Sequence, residues 1–265
     1  MSTPISMPLG FISHGAPSIA LAPESDYARA LAGWARRMPE PDAIVVMSAH
    51  WEVPGPVRVT SGPRPPVIYD FGGFPEPLYK MSYPAPGAPG LAAEIVALLS
   101  AAGVPAAPDE HQGWDHGVWI PLHLTFPRAE IPVVEVSLLS NAVPEEILRV
   151  GRALVPLRRR RVLMIGSGGI VHNLGRLQFD DIGAPVDDWA DRFDRWVRGR
   201  LGGNDVAALA AYRELAPDAA LSVPTQEHFN PLFFVLGAMG ETDRVTDIHE
   251  SFQYGNLSMR CFEVS

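Results

Sequence analysis

Four histidines lie next to turns marked by glycine or proline, and their chemistry is the most informative feature of this chain. They are, in chain order, His14, His50, His172 and His228. Histidine is the commonest side-chain ligand of transition metals, and its ring gains or loses a proton near neutral pH. If several of these rings meet at one edge of a sheet, they would form a metal site.

Two further segments contain groups that could act on a substrate. His116 could act as an acid or as a donor to an oxyanion; alternatively, Asp115 only caps a helix and His116 is an ordinary first-turn residue. The segment 69–79 offers an aromatic wall with two acidic residues, which would suit an aromatic substrate or simply reflect loop packing. The histidines without such a setting are expected to be structural or exposed: His111, His123 and His249.

The glycine-rich segment 166–169 lacks the patterns that define nucleotide and serine-hydrolase sites. It has neither the GxGxxG spacing nor the lysine of a phosphate-binding loop, and Ser167 is not in a G-x-S-x-G turn. We therefore expect its small residues to let the backbone pass close to a ligand while His172 points inward. Asn173 could cap or orient that histidine.

The elements that position these residues alternate along the chain. Apolar runs predict strands over residues 7–13, 43–49, 131–138, 162–167 and 256–264, with another beginning at 58–60. Helical periodicity predicts helices over residues 24–37, 90–102, 144–157, 186–201, 205–214 and 231–239, with a helical turn at 121–125. The proline-rich segment 62–87 is expected to be a long functional loop or a β excursion.

This alternation predicts an α/β fold. We expect a single domain, residues 1–265, with a central, mostly parallel (mixed) β-sheet flanked by helices on both faces. Ligands of such sheets bind outside the carboxyl ends of the strands. His14 and His50 directly follow predicted strands, and His172 follows a strand and its glycine-rich turn. At least these three rings should therefore share one edge.

The composition argues against several partners and compartments. Of 265 residues 47% are hydrophobic and the net charge is −9, so we expect a sizeable core and no basic face for nucleic acid or an anionic membrane. The basic run 158–161 is expected to be solvated or at a helix C-terminus. Cys261, the single cysteine, permits no disulfide within the chain and should be a small buried hydrophobe. With neither a signal peptide nor a bilayer-spanning apolar run, we expect a soluble, cytoplasmic protein.

Six motifs stand in order along the chain: His14–Pro17, Ser48–Trp51, Tyr69–Tyr79, Asp115–Leu122, Gly166–Leu174 and Glu227–Pro231. Together they resemble the class III extradiol ring-cleavage dioxygenases, in the DOPA 4,5-dioxygenase-like branch. Each motif alone is weakly diagnostic, whereas six in the right order are specific. The similarity runs from about residue 9 to residue 255.

The resemblance implies an enzyme that opens a catechol ring next to its two hydroxyls, with O2 as co-substrate. It implies Fe(II) as the cofactor for activity, with Zn(II) able to occupy the same site. Residue by residue, His14, His50 and His228 resemble the metal ligands. His172 resembles the active-site acid/base, close enough to serve as a fourth ligand, and His116 resembles a second catalytic histidine of the pocket.

One departure from the wider superfamily leaves the native metal open between iron and zinc. Non-haem Fe(II) oxygenases commonly use two histidines and one carboxylate. Here His228 takes the third position, and Glu227 beside it has no assigned part. The expected substrate-binding residues are Tyr69, Phe74 and Tyr79.

Two other functions stay open on the sequence. One is a zinc-dependent hydrolase on the same scaffold, since zinc suits imidazole ligands and activates water. The other is a non-catalytic scaffold, against which the presence of His116 and His172 beside the expected ligands speaks. The expected partners are a small aromatic diol and O2, and the protein could form a homo-oligomer.

Overall fold

A mixed six-stranded sheet lies at the centre of the protein. The computed structural model describes residues 6–265. The strands are β1 (Leu9–Ser13), β2 (Ala43–Ser48), β3 (Glu52–Val53), β4 (Val57–Thr60), β5 (Ala106–Asp109), β6 (Val133–Glu135), β7 (Leu138–Leu139), β8 (Val162–Gly168), β9 (Val245–His249), β10 (Phe252–Gln253), β11 (Leu257–Ser258) and β12 (Cys261–Val264). In the central sheet β6, β2, β8 and β1 lie side by side and parallel, and β12 and β9 continue it antiparallel. The predicted mostly parallel, mixed sheet is confirmed.

The parallel strands are nearly continuous apolar runs because both of their faces are covered. All residues of β2 and of β8 are buried. Ser48 at the end of β2 lies opposite Ser167, and Ser13 at the end of β1 lies opposite Gly168. The carboxyl ends of these three strands therefore lie at the same level and form one edge of the sheet.

Helices cover both faces of this sheet. They are α1 (Asp26–Arg37), α2 (Pro89–Ala101), α3 (His116–Thr125), α4 (Pro144–Arg158), α5 (Asp188–Gly202), α6 (Val206–Ala210), α7 (Tyr212–Leu215), α8 (Ala219–Ser222) and α9 (Pro231–Gly237), with short 3-10 helices at Pro17–Leu21, Glu76–Lys80 and Leu174–Arg176. On one face Val46 packs in a cluster with Trp34 of α1; on the other Val45 packs in a cluster with Leu154 of α4. The α/β fold with helices on both faces is confirmed, and the domain bounds 1–265 stay a prediction.

Several predicted elements are each two elements in the structure, because the apolar pattern continues across a point where the chain turns. The predicted strand 131–138 splits into β6 in the central sheet and β7, which pairs with β3 in a separate small sheet. The predicted strand 256–264 likewise splits into β11 and β12, and the predicted helix 205–214 splits into α6 and α7. The helical turn expected at 121–125 is the second half of α3.

Two parts of the fold carry little apolar signal. Strand β9 lies at the sheet edge and is partly exposed, so its sequence lacks the apolar run of a central strand. The described segment 62–87 contains the 3-10 helix Glu76–Lys80 and isolated bridges at Val67 and Gly87, so it is a long loop and not a β excursion. Strands β5 and β9 were both missed by the sequence pattern.

The remaining sequence expectations have mixed outcomes. Helix α4 ends at Arg158 and the next three arginines are exposed, which confirms the expectation for the basic run 158–161; Arg158 itself is buried. It donates to the Met7 carbonyl at 2.9 Å and pairs with Asp243 at 2.6 Å. Cys261 is a fully buried small hydrophobe, as expected. Among the helices of residues 6–265, none is long and apolar enough to cross a membrane.

Candidate metal centre and active site

Five histidines converge at the carboxyl edge of the parallel strands; we call them the histidine cluster. His14 directly follows β1, His50 follows β2, and His172 follows β8. His228 precedes α9, and a ring nitrogen of His14, of His50 and of His228 all fall within 4.8 Å of one another. His116 begins α3, and its ring centroid lies 3.9 Å from that of His50.

His228 reaches this cluster because glycines of β8 let its backbone approach the strand. The Gly169 amide donates to the His228 carbonyl at 2.8 Å. A Cβ atom at Gly168 would lie 2.1 Å from that same carbonyl oxygen, and one at Gly166 would lie 2.2 Å from the Pro231 carbonyl oxygen. Gly166 and Gly168 therefore approach the backbone that carries His228, and the expected approach of this segment to a ligand stays a prediction.

Hydrogen bonds set the protonation of two rings. His14 Nδ1 lies 3.0 Å from Ser167 Oγ, and that hydroxyl donates its own proton to the Gly117 carbonyl at 2.5 Å. Because the hydroxyl can then only accept from the ring, His14 carries its proton on Nδ1 and presents an Nε2 lone pair. His228 Nδ1 lies 3.0 Å from the Glu227 carboxylate, which can only accept, so His228 also has its Nε2 free.

The free nitrogens of His14 and His228 lie close to the ring of His50. His14 Nε2 lies 3.0 Å from His50 Nε2. His228 Nε2 is buried and has no hydrogen-bond partner. Buried polar atoms are normally satisfied, and a cation between the three rings would satisfy all of them at once. The donor set of His14, His50 and His228 therefore fits a transition metal such as Fe(II) or Zn(II).

Burial keeps the rings in the neutral form that metal binding requires. Burial, with a further contribution from the neighbouring rings, holds the pKa of His14 and of His228 well below the ordinary histidine value. Burial, followed by the nearby His116, lowers the pKa of His50 to about 4. Burial also lowers the pKa of His172 to about 4. These four rings are consequently uncharged at neutral pH, able to bind a cation or accept a proton.

His172 lies beside the three-nitrogen set. Its ring stacks on His228 with a centroid distance of 3.5 Å and an interplanar angle of 7°. Its backbone amide donates to the Ser222 carbonyl at 3.0 Å. Asn173 does not orient it, because the Asn173 amide donates to the Leu221 carbonyl at 2.7 Å; that expectation was wrong. The stacked neighbour fixes the ring plane of His172 instead.

The Asp115–His116 pair combines a helix cap with a ring that enters the cavity, and the role of His116 as an acid or donor stays a prediction. The Asp115 carboxylate caps α3 by accepting from the Val118 amide at 3.2 Å. His116 is the first residue of that helix, and its ring nonetheless enters the cavity, where Asp70 binds it twice. The Asp70 carboxylate accepts from the His116 amide at 2.9 Å and from Nδ1 at 2.8 Å. Burial alone would raise the pKa of Asp70, but the bonds from His116 bring this pKa below its usual value.

A cavity of about 660 Å³ opens over the histidine cluster. Phe71 and Phe74 line it from the loop 62–87, and we call these two side chains the aromatic wall. Phe71 makes an edge contact with His116, at 5.7 Å between centroids. A second set of side chains, which we call the apolar rim, lines the cavity from two other segments: Leu174, Leu177, Phe179 and Tyr254. The cavity is therefore polar at its base and apolar along its sides.

The three expected substrate-binding residues occupy different positions. Phe74 lines the cavity. Tyr69 and Tyr79 are not among the lining residues; they pack against Phe71 at centroid distances of 6.1 and 5.3 Å. The Tyr69 hydroxyl donates to the Met81 carbonyl at 2.7 Å, which fixes the loop. The tyrosines thus support the aromatic wall, and Phe71 is the lining residue that the sequence pattern did not single out.

The other histidines lie away from the cavity, as expected. They are His111, His123 and His249. The residues that sequence reasoning missed are Asp70 and Glu227, which bond His116 and His228. Asp70 lay within the aromatic segment and was noted only as an acidic residue. Metal-binding histidines usually donate their second ring N–H to a carboxylate, so Glu227, directly before His228 in the sequence, could have been identified. Asp70 lies 46 residues from His116 in the sequence, so no local signal pointed to this pair.

Comparisons with known proteins agree with this site. The model of the family described as "Catalytic LigB subunit of aromatic ring-opening dioxygenase" matches residues 8–261. The chain is 40% identical over 260 residues to a 4,5-DOPA dioxygenase extradiol of Portulaca grandiflora, covering 96% of this chain and 94% of the relative. It is 38% identical over 262 residues to the 4,5-DOPA dioxygenase extradiol of Escherichia coli (strain K12), covering 97% and 94%.

A solved structure agrees with the fold. The crystal structure of an uncharacterized protein from Escherichia coli K12 aligns with a TM-score of 0.81 and 32% identity, covering 98% of this chain and 100% of that one. The resemblance carried by the six sequence motifs is thus confirmed. The chain belongs to the LigB family of aromatic ring-opening dioxygenases and is an extradiol dioxygenase.

Proposed function

We propose that this enzyme depends on Fe(II) and opens the aromatic ring of a catechol with O2. The observation that supports the proposal is the meeting of three imidazole nitrogens, two further histidines and an aromatic wall in one cavity. Family membership implies an aromatic substrate and O2. The catechol, the metal and the role of each residue are the further steps proposed here.

His14, His50 and His228 would hold the metal on one side of the cavity. With three protein ligands, bound Fe(II) would have room for substrate, would supply electrons for O2 and would acidify the two catechol hydroxyls. Glu227 would support the site by accepting from His228 Nδ1, which keeps the Nε2 lone pair directed at the cluster. Other non-haem Fe(II) oxygenases commonly bind the metal directly with one carboxylate. Here the Glu227 carboxylate would instead support His228, and His228 would bind the metal.

His172 would accept a proton from an acidified catechol hydroxyl. Burial lowers the pKa of His172 to about 4, so the ring is neutral at pH 7. A base with so low a pKa takes a proton efficiently only from a hydroxyl that is itself unusually acidic. The stacking of His172 on His228 keeps its ring beside the metal ligands, where its one unprotonated nitrogen can accept a proton. His172 would therefore act only when substrate and metal are both bound.

His116 would serve the second hydroxyl or the oxygen. Its Nδ1 stays bonded to Asp70 at 2.8 Å, so Nε2 is the nitrogen left to exchange a proton in the cavity. The edge contact between Phe71 and His116 would place an aromatic substrate ring against the aromatic wall. Two histidines on different elements would thus handle protons at two substrate positions.

The test is an oxygen-uptake assay on protein loaded anaerobically with Fe(II). Adding air-saturated buffer and a panel of catechols should consume oxygen and yield a yellow ring-fission product. Zn(II)-loaded protein is the matched control, and we expect it to bind the same site without consuming oxygen. If no catechol gave product or oxygen uptake with Fe(II), the proposal would be overturned.

A zinc-dependent hydrolase is the second candidate, and the three-imidazole donor set favours it. Zinc suits such ligands and activates a bound water. Turnover of an ester or amide by the zinc form, with no oxygen uptake by the iron form, would select this alternative. A cytoplasmic location and a homo-oligomeric state stay predictions.

A further inference from the structure

The apolar rim is exposed to an unusual degree. Leu174 is 53% exposed and Phe179 is 66% exposed, although both line the cavity. The Phe179 ring contacts Tyr254 at a centroid distance of 6.2 Å, so these two rings form one apolar surface. Exposed apolar surface rimming a cavity commonly marks a ligand contact. The rim is therefore prepared to cover an apolar group that extends out of the cavity.

Apart from the proposed metal, the described lining of the cavity offers no cationic side chain to a substrate. Among the described residues that line it, Asp70 is the one with a carboxylate, and neither a lysine nor an arginine is present. Glu227 adds a second carboxylate next to His228, and the chain has a net charge of −9. Arg176 lies between two rim residues in the chain, but it is exposed and does not line the cavity.

The apolar rim and the lack of a lysine or arginine in the cavity lining both disfavour a charged group on the substrate's side chain. A carboxylate on that side chain would lose part of its water against Leu174 and Phe179 without gaining a charged side chain as a partner, and the Asp70 carboxylate in the cavity would repel it. Removing a charge from water without a partner is strongly unfavourable. An apolar side chain would instead cover the exposed rim and gain from its burial.

We propose that the substrates of this site are catechols whose ring substituent is apolar and carries no carboxylate; this rests on the proposed ring-opening function. The diol would lie on the histidine cluster, the ring against the aromatic wall and the substituent along the apolar rim. DOPA, the compound in the names of two relatives, carries a carboxylate and is expected to be a poorer substrate than an alkyl catechol.

The test compares two substrates of the same length. 4-Propylcatechol and 3-(3,4-dihydroxyphenyl)propionate differ in whether the side chain ends in a methyl or a carboxylate. With the Fe(II)-loaded protein, kcat/KM should be about ten-fold or more higher for 4-propylcatechol, because the unpaired carboxylate is desolvated. Equal values, or a preference for the carboxylate, would overturn the proposal. Absence of turnover with every catechol would instead refute the proposed ring-opening function.

Arginine substitutions in the apolar rim test whether the rim is the part of the site that distinguishes the two substrates. Phe179→Arg and Leu174→Arg place a cation at exposed positions, so folding should be unaffected. Each should raise the ratio of kcat/KM for the propionate over 4-propylcatechol by about ten-fold. Leu215→Arg is the matched control, since Leu215 is 57% exposed and does not line the cavity. An unchanged ratio in both rim variants would contradict the placement of the substituent.

Arg176→Ala tests the nearest cation in the sequence. Because Arg176 does not line the cavity, its removal should leave the ratio between the two substrates unchanged. A selective loss of activity toward the propionate would mean that Arg176 binds the carboxylate, and this result would overturn the proposal.

Discussion

The histidine cluster and the apolar rim share one cavity but differ in how they are built. The cluster is attached to the ends of β1, β2 and β8 and to the starts of α3 and α9, and the rings of His14, His116 and His228 have polar partners behind them. The rim comes mainly from the segment around the 3-10 helix Leu174–Arg176, and its side chains are exposed. Groups that act on reacting atoms need fixed geometry, whereas groups that cover a substituent tolerate movement.

This contrast implies that the histidine cluster provides activity and the apolar rim sets substrate preference. Substitutions in the histidine cluster should remove activity with every catechol, whereas substitutions in the apolar rim should change which catechol is preferred. A histidine-cluster variant that changed only the substrate preference, or an apolar-rim variant that lost activity with every catechol, would contradict this contrast.

The largest effect is expected from removing a proposed metal ligand. His228→Ala should reduce metal content and lower kcat/KM by about 10³-fold or more for all catechols, since electrostatic and metal contributions dominate such reactions. Metal analysis together with oxygen uptake measures both consequences. His111→Ala, on an exposed residue, is the control. A His228→Ala protein with full metal content and activity would contradict the ligand assignment.

The next effect separates proton transfer from metal binding. His172→Ala should keep its metal and lose about 10²- to 10⁴-fold in kcat, the usual contribution of a general acid or base. The loss should be similar for alkyl and carboxylated catechols, because the ring does not contact the substituent. Metal analysis and single-turnover kinetics test this; an unchanged rate with metal bound would show that another group takes the proton.

The metal-free protein should be sensitive to acid because of the cluster. Burial lowers the pKa of His50 and of His172 from 6.5 to about 4, so between these pH values the unfolded chain binds protons that the folded chain does not. The free energy of unfolding should therefore be highest above pH 6.5 and fall as the pH drops toward 4. For one such ring the loss amounts to about 3 kcal/mol.

Urea unfolding at pH 7 and pH 5 measures this dependence. His172→Gln should make the loss smaller by removing one titrating ring. Leu174→Ser in the apolar rim should leave the pH dependence as it is. Equal stability of the unsubstituted protein at both pH values would show that the rings are not held neutral.

The smallest effect on activity is expected from replacing Asp70, which contacts His116 and would act through that ring. Asp70→Asn keeps the size of the side chain but loses the charge that orients His116, and we expect a fall of about 10- to 100-fold in kcat, as for other partners behind active-site histidines. KM should change less than kcat, because Asp70 makes its bonds to His116 and not to the substrate. Asp42→Asn, on an exposed residue, is the control. A change confined to KM would place Asp70 in substrate binding.

Much of the fold could be predicted because the residue pattern of the central strands indicates that they are buried. A strand covered on both faces is a run of apolar residues, and this pattern identified β2 and β8. Strand β9 was missed because an exposed edge strand carries no such run. The breaks between β6 and β7 and between α6 and α7 were missed because an apolar pattern does not show where the chain turns.

By itself the sequence determined which residue types stand at the strand ends, and thereby the shared edge of His14, His50 and His172. Only the tertiary structure decided the partners that come from far along the chain: Asp70 on His116, and the backbone of His228 against Gly168. Local patterns report burial and turns, which depend on neighbouring residues. Hydrogen bonds and close backbone contacts between distant segments depend on how the whole chain packs, so they appear only once the fold is formed.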